Sequence, residues 1–427
     1  MRQKLLPVLF GLFLFLLRSV PVLAEEPFRD MAFDAGAAAA KKEKKLLMVD
    51  FYATWCGPCK LMDRTTFKDP KVQEWIRKYT VALKVQGDKQ REISSKYRVT
   101  GFPTVVFLKP DGAEAGRVSG YRPPEDFLLA AQAAAAGKAP AAFLLEKKLP
   151  NGKPDPSSRL KAALELAQAG RLEAAEAELR WCVESGPEAD PTFVSSLPQA
   201  VSLLAQLGQI RPSARDYLIK RRDDTAESVA GGSGDLMAAE FLGAANDTLG
   251  DSPKTLDVYD RVKAQGPSRA AVREVLYRYC FRQLYSAGRF EDIVRDAGDP
   301  TRLGTTLLQN YRNAVGSKPP APGDPQAGAI LAFKERMIYE AGMLYEALLG
   351  AGKAADARRL AEQILDFAPT GTHYAIFLDH AVKAGKPEEA VFLRDRGYQL
   401  LPSAEVAPLQ NAAMSLPELQ AQGDARP

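Results

Sequence analysis

The sequence predicts an α/β domain, a mixed sheet flanked by helices, followed by an all-α array of helical repeats. The α/β part is indicated by an apolar run at 46–53 that leads directly into a Cys-x-x-Cys pair. A later pair of short runs, at 104–108 and 114–119, flanks a Pro-Asp-Gly turn and predicts an antiparallel hairpin. The repeat array is indicated by glycines that recur at similar intervals from residue 158 onward.

Residues 1–24 have the pattern of a secretory signal. Arg2 and Lys4 precede an apolar segment at 5–17, and Val22-Leu23-Ala24 precedes Glu25, so we expect cleavage after Ala24. The alternative is an uncleaved membrane anchor. The apolar segment is broken at Arg18 and is short for a span, which needs about 20 residues.

The α/β domain is expected over residues 25–137. An Ala-rich amphipathic helix at 28–45 leads into the central strand at 46–53. The helix that follows the cysteines should break before Asp69-Pro70 and resume to about residue 79. The remaining elements are a buried strand at 81–85, a helix at 89–97, the hairpin strands, and a helix from Pro123-Pro124 to near Gly137.

The pair Cys56 and Cys59 is expected at the end of the strand and the start of the helix. Free N–H groups and the positive end of a helix dipole favour a thiolate, so Cys56 becomes nucleophilic near neutral pH. Cys59, one helical turn on, can attack a mixed disulfide formed by Cys56. A zinc site or a structural disulfide has the same spacing. A zinc site needs two more Cys or His ligands, and the other cysteines and histidines are far along the chain.

These residues carry a resemblance to a known family. The motif Trp55-Cys56-Gly57-Pro58-Cys59-Lys60 is preceded by Asp50, and the stretch 99–104 contains a Phe102-Pro103 pair. Together with Lys84, nineteen residues before Pro103, this pattern resembles the thioredoxin family over about residues 28–137. The segment 65–72 is longer than in plain thioredoxin and is similar to the soluble domain of bacterial membrane thiol-reducing proteins.

The resemblance implies roles for individual residues. Asp50 would be the buried general base for Cys59, and Lys84 would tune the pKa of Asp50. The Phe102–Pro103 bond would be cis. The substrate-binding surface would be formed by Trp55, Gly57, Pro58, Phe102 and Pro103. Phe102 either only fills space or lines the substrate groove, and the sequence favours neither.

The resemblance also implies a setting. The Gly-Pro pair between the cysteines is similar to that of reducing thioredoxins. With the secretory signal, the resemblance implies a bacterial periplasm, where disulfides can persist. Protein disulfides would be the substrates, and a membrane thiol reductant would be the electron donor. We expect no cofactor and no metal. Net charge is only +4 with no basic stripe, so we expect no nucleic-acid partner.

Residues 138–157 contain four prolines and an Asn-Gly turn, and we expect them to be a linker that is interrupted by a short helix at 142–147. From 158 to 403, Gly170, Gly250 and Gly352 are each followed seventeen residues later by proline; weaker copies lie at Gly208, Gly288 and Gly385. The pattern resembles divergent tetratricopeptide repeats, which implies a protein partner. A Pro-rich insertion is expected at 318–325 and a loosely ordered tail at 404–427.

The other cysteines and both histidines fall in the repeat region. Cys182 and Cys280 lie on apolar helix faces in non-adjacent repeats, so we expect buried, unpaired thiols. His373 and His380 are seven residues apart and share a helix face, but no third ligand is near them in the sequence.

Two hypotheses about function follow. The first is a periplasmic thiol–disulfide oxidoreductase that reduces protein disulfides, with the repeats recruiting a partner. The alternative is a repeat-based interaction protein in which the redox domain regulates binding or holds a client. The intact set of Cys56, Cys59, Asp50, Lys84 and Pro103 favours the enzyme, since a scaffold would not need all five.

Overall fold

The computed structural model describes residues 27–315 and 327–415. The expected signal at 1–24 and the expected insertion at 318–325 lie outside the described residues. The chain divides between Lys147 and Lys148 into two compact units.

The first unit contains four strands and six helices among its described residues. They are, in chain order, α1 Phe33–Glu43, β1 Leu46–Tyr52, α2 Gly57–Arg64, α3 Pro70–Tyr79, β2 Thr80–Gln86, α4 Arg91–Lys96, β3 Thr104–Leu108, β4 Glu114–Ser119, α5 Pro124–Ala135 and α6 Pro140–Leu145. The helix expected from residue 28 begins only at Phe33, and Phe28 instead forms an isolated parallel bridge with Ala82. The fold is the thioredoxin fold with a mixed sheet that the sequence predicts.

The four strands form one sheet in the order β2-β1-β3-β4. The β1–β2 pair is parallel, and the β1–β3 and β3–β4 pairs are antiparallel. The register sets Asp50 beside Lys84 of the neighbouring strand. The central position of β1 therefore brings a carboxylate and an ammonium group together within the sheet.

Side chains alternate between the two faces of β1, as strand geometry requires. Leu47, Val49 and Phe51 pack in a cluster with α1. Met48 packs on the opposite face with Met62 of α2 and with residues of α3 and α5. Asp50 shares the parity of Met48, so its carboxylate lies on the face that α2 covers.

The second unit is helical apart from one isolated β-bridge, Lys148 with Pro154, over its described residues. Its helices are α7 Pro156–Gln168, α8 Leu172–Ala189, α9 Leu197–Gly208, α10 Pro212–Ala230, α11 Leu236–Leu249, α12 Ser252–Ala264, α13 Ala270–Ser286, α14 Phe290–Asp296, α15 Leu303–Val315, α16 Ala327–Gly350, α17 Ala354–Phe367, α18 Gly371–Lys383, α19 Pro387–Leu400 and α20 Ala407–Met414. Helix α6 and the first residues of α7 fall within the stretch 138–157 that we expected to be a linker. Within the described residues, 27–315 and 327–415, no helix is both long enough and apolar enough to cross a membrane.

The recurring glycines have a physical reason in the helical unit. Five of the six, all except Gly208, have positive φ and lie in the short turn between two helices; they are Gly170, Gly250, Gly288, Gly352 and Gly385. Glycine is favoured there because the left-handed conformation that ends a helix strains other residues. The sequence repeat thus marks the turns of helical hairpins.

The expectation of a loosely ordered tail at 404–427 is wrong for the helix at 407–414, and residues 416–427 lie outside the described part of the chain. Helix α20 packs on α18 of the same unit, and its Leu409 is fully buried. A Leu409 methyl group lies against Gly397 of α19, where a Cβ atom would meet it at 2.4 Å. Burial of apolar side chains such as Leu409 holds this segment in place although its sequence is short and rich in alanine.

Candidate redox-active site

The cysteine pair lies at the point where β1 gives way to α2. Cys56 is the N-cap residue of α2, and its Sγ accepts a hydrogen bond of 3.1 Å from the backbone N–H of Cys59. The two cysteines form a disulfide in this structure, and both are buried. Pro58 stands in the first turn of the helix, where its missing N–H costs little. A Cβ atom added at Gly57 would meet nothing within 4 Å, so the surface is open at that point.

This position supplies the electrostatics that a reactive thiolate needs. After reduction, Cys56 Sγ would remain at the N-terminus of α2, next to the unpaired N–H groups and the positive end of the helix dipole. Both features stabilise the thiolate over the thiol. The position of Cys56 at the N-terminus of α2 therefore favours its ionised form.

Trp55 and Phe102 flank the disulfide. Trp55 is 71% exposed, and its indole N–H donates a hydrogen bond of 3.1 Å to Asp88. The Phe102 ring stands edge-on to Trp55 at 6.1 Å and packs against the two cysteines. The Phe102–Pro103 bond is cis, as predicted. Phe102 thus borders the dithiol, and it also fills the space above Gly87, where a Cβ atom would approach its ring to 2.4 Å.

Asp50 is buried in β1, the strand that precedes the cysteine pair. Its Oδ2 lies 3.3 Å from the Lys84 ammonium nitrogen, as the sequence predicts. Its Oδ1 is buried and has no hydrogen-bond partner among the described residues. Burial raises the pKa of Asp50 from 3.8 to about 6, and the charge of Lys84 opposes that rise. A carboxyl group with such a pKa can exchange a proton near neutral pH.

Lys84 also contacts a residue that the sequence reasoning missed. Its ammonium group donates a hydrogen bond to Asp63 of α2. Burial lowers the pKa of Lys84, but the two carboxylates outweigh that effect and raise it overall. Asp63 follows Cys59 by four residues, so the two side chains share a face of α2. That spacing is the signal that could have identified Asp63.

The remaining cysteines and both histidines lie in the second unit. Cys182 and Cys280 are free and fully buried, as predicted, and burial raises the pKa of each thiol to about 12. His373 and His380 of α18 contact Glu335 and Glu346 of α16 at 3.0 and 2.6 Å. No group of three or more potential metal ligands occurs within the described part of the chain.

Comparison with known proteins matches the first unit to thioredoxin-like domains. Residues 33–135 match a family profile described as a thioredoxin-like domain. The chain is 42% identical over 92 residues to a thioredoxin H-type of Oryza sativa subsp. indica, covering 21% of this chain and 70% of that protein. It is 34% identical over 99 residues to the thiol:disulfide interchange protein DsbD of Pectobacterium atrosepticum, covering 22% of this chain and 17% of that protein. Among solved structures, a thioredoxin from Thermus thermophilus is 31% identical, with 25% of this chain and 85% of that chain covered and a TM-score of 0.24.

A cysteine pair of this kind on this fold defines a thiol–disulfide oxidoreductase domain. The chain belongs to the thioredoxin family, and its helical unit lies outside the matched residues.

Proposed function

We propose that the protein is a periplasmic thiol–disulfide oxidoreductase that reduces disulfides in other proteins. The observation that carries the proposal is the Cys56–Cys59 pair at the start of α2, together with the buried Asp50 carboxyl group of β1, whose pKa is raised. This combination offers a nucleophile, a resolving thiol and a proton acceptor, which are the three groups that dithiol reduction needs.

Reduction proceeds in two exchanges. The Cys56 thiolate attacks one sulfur of a substrate disulfide, forms a mixed disulfide, and releases the other substrate sulfur as a thiolate that takes a proton from water. Cys59 then gives its thiol proton to Asp50, and the Cys59 thiolate attacks the Cys56 sulfur. The second substrate thiolate leaves and takes one proton from water, and Asp50 returns the proton of Cys59 to the solvent. The substrate gains two electrons and two protons, and the Cys56–Cys59 disulfide found here is the product.

A thiol reductant must return the pair to the dithiol state. The match to a DsbD protein supports a membrane thiol reductant as donor, and the leader pattern at 1–24 supports a periplasmic location. The Gly57-Pro58 pair supports the reducing direction, because thioredoxin, with a reduction potential near −270 mV, is among the more reducing of these proteins. The substrate surface is assigned to Trp55, Phe102 and Pro103.

Reduction of insulin with dithiothreitol as donor tests the activity. The wild-type chain should precipitate the insulin B chain well above the uncatalysed rate. Cys56→Ser should lose this activity because it lacks the attacking thiolate. A folded wild-type protein that stays at the uncatalysed rate would refute the proposal.

We propose that the helical unit recruits a protein partner. Stacked helical hairpins expose long surfaces that suit protein binding, and that architecture supports the assignment. A Cys59→Ala variant should retain native partners as mixed disulfides on Cys56, because the resolving thiol is missing. Deleting residues 158–427 from that variant should sharply reduce the capture of native partners and leave reaction with a small disulfide intact. Equal capture by both forms would assign the helices to anchoring or oligomerisation instead.

A further inference from the structure

Lys84 stands between two carboxylates of different character. Asp50 is buried in the sheet, and its Oδ2 lies 3.3 Å from the Lys84 nitrogen. Asp63 is half-exposed on α2, and it accepts a hydrogen bond from the same nitrogen. The Lys84 ammonium group therefore contacts two carboxylates, and its closer contact is with Asp63, the more exposed of the two.

We propose that Asp63 is a positioning residue that draws Lys84 toward α2 and so keeps Asp50 able to accept a proton from Cys59. The proposal deepens the proposed function and rests on it for its catalytic consequence. The effect on Asp50 itself is a property of the three charged groups and can be measured without turnover.

Two features hold the Lys84 ammonium group between Asp50 and Asp63. The rings of Phe28, Tyr52 and Phe67 surround its ammonium group, with centroids 5.0, 5.4 and 5.4 Å away. Aromatic faces attract a cation without neutralising either carboxylate. The hydrogen bond to Asp63 then fixes the nitrogen toward the solvent side, since Asp63 is half-exposed and Asp50 is not.

The arrangement decides how strongly Lys84 opposes protonation of Asp50. A cation bound only to Asp50 would favour its ionised form and remove its capacity to accept a proton. Asp63 takes up part of that charge and adds a second negative charge nearby, which disfavours ionisation of Asp50. The free Oδ1 of Asp50 then leaves one oxygen available for the proton.

Asp63 also connects this charge balance to the resolving cysteine. Asp63 and Cys59 are one helical turn apart on the same face of α2, and Cys59 must lose its proton for resolution. A rigid helix turn therefore carries both the group that releases the proton and the group that tunes its acceptor. If Lys84 and Asp63 formed only a surface ion pair, that pair would contribute little to stability and would leave the protonation of Asp50 unchanged.

The test is the titration of Asp50 in the oxidised full-length protein, followed by NMR of ¹³C-labelled aspartate carboxyl groups and assigned with Asp50→Asn. Asp63→Asn should lower the Asp50 midpoint by about one pH unit, because Lys84 then pairs with Asp50 alone. Asp63→Glu, which keeps the charge, should restore the wild-type midpoint. Glu74→Gln is the matched control, because it removes an exposed carboxylate from α3 of the same unit, and it should leave the midpoint in place. An unchanged midpoint in Asp63→Asn overturns the proposal.

A second measurement addresses the catalytic consequence. The acid limb of the pH profile for resolution of a preformed mixed disulfide on Cys56 should move down by the same amount in Asp63→Asn. A shifted Asp50 midpoint with an unshifted profile would overturn the link to Cys59. If wild-type protein does not resolve the mixed disulfide at all, the proposed function fails, while the NMR midpoint still decides the role of Asp63.

Discussion

Replacing Asp50 by asparagine should stabilise the oxidised α/β domain at neutral pH. Burial holds the pKa of the folded Asp50 carboxyl at about 6, against 3.8 for an unperturbed aspartate. The folded state therefore binds more protons than the unfolded state between these two pH values, and stability falls as pH rises through that window. About two pKa units at roughly 1.4 kcal/mol each give a cost of about 3 kcal/mol at pH 7.

Asp50→Asn removes this cost without leaving a buried charge alone. Lys84 keeps Asp63 as its partner, and the amide is neutral at every pH. The variant should be more stable than wild type by about 3 kcal/mol at pH 7, and by less than about 1 kcal/mol at pH 4, where the wild-type carboxyl is protonated when folded.

Urea unfolding of the fragment 25–147 in its oxidised form measures the effect, with Trp55 and Trp75 as fluorescence reporters. The fragment should fold by itself because its apolar clusters lie within the first unit. Glu74→Gln, which removes an exposed carboxylate of α3, should change stability by less than about 0.5 kcal/mol at both pH values. If Asp50→Asn raises the free energy of unfolding equally at pH 4 and pH 7, the reasoning is refuted, because the destabilisation by Asp50 would then not come from its ionisation.

Three further outcomes are expected. Cys182→Ala and Cys280→Ala should keep wild-type insulin reduction, whereas Cys56→Ser should lose it. In the native protein Cys182 and Cys280 should resist a charged thiol reagent at pH 8.5, because burial raises the pKa of each to about 12; modification at the unfolded rate, followed by mass spectrometry, would contradict their placement. Gly243→Ala should destabilise the helical unit by about 1–3 kcal/mol in thermal unfolding, because the new methyl group would lie 2.1 Å from an aromatic ring of α13, and Gly328→Ala, with open space around it, should not.

The sequence was most informative where local chemistry decides structure. The hairpin strands were expected at 104–108 and 114–119, and β3 and β4 have these bounds, because a Pro-Asp-Gly turn fixes the register of the runs beside it. The break before Asp69 was predicted for a similar reason, since Asp69 caps α3 with its side chain and Pro70 follows in the first turn. The pairing of Asp50 with Lys84 was expected from the family resemblance, and strand register produces it.

The sequence was least informative where contacts between distant segments determine the position of a residue or helix. The spacing from Cys59 sets Asp63 on the same face of α2, but its hydrogen bond with Lys84 depends on how α2 packs against the sheet. Phe28 was expected in a helix, but its bridge to Ala82 places its ring beside the same ammonium group. The segment that forms α20 was expected to be loosely ordered, whereas its contacts with α18 and α19 hold it in place. Tertiary packing overrides local preference in each case.

The most direct test of the account is to trap the first exchange. Reduced Cys59→Ala protein, mixed with two peptides joined to each other by one disulfide, should form an adduct with one of the two peptides, and peptide mapping should place it on Cys56. The wild-type chain should show only its own Cys56–Cys59 disulfide, and Cys56→Ala should gain no comparable adduct. An adduct on Cys182 or Cys280, or none on Cys56 in a folded protein, would contradict the claim that this pair performs thiol–disulfide exchange.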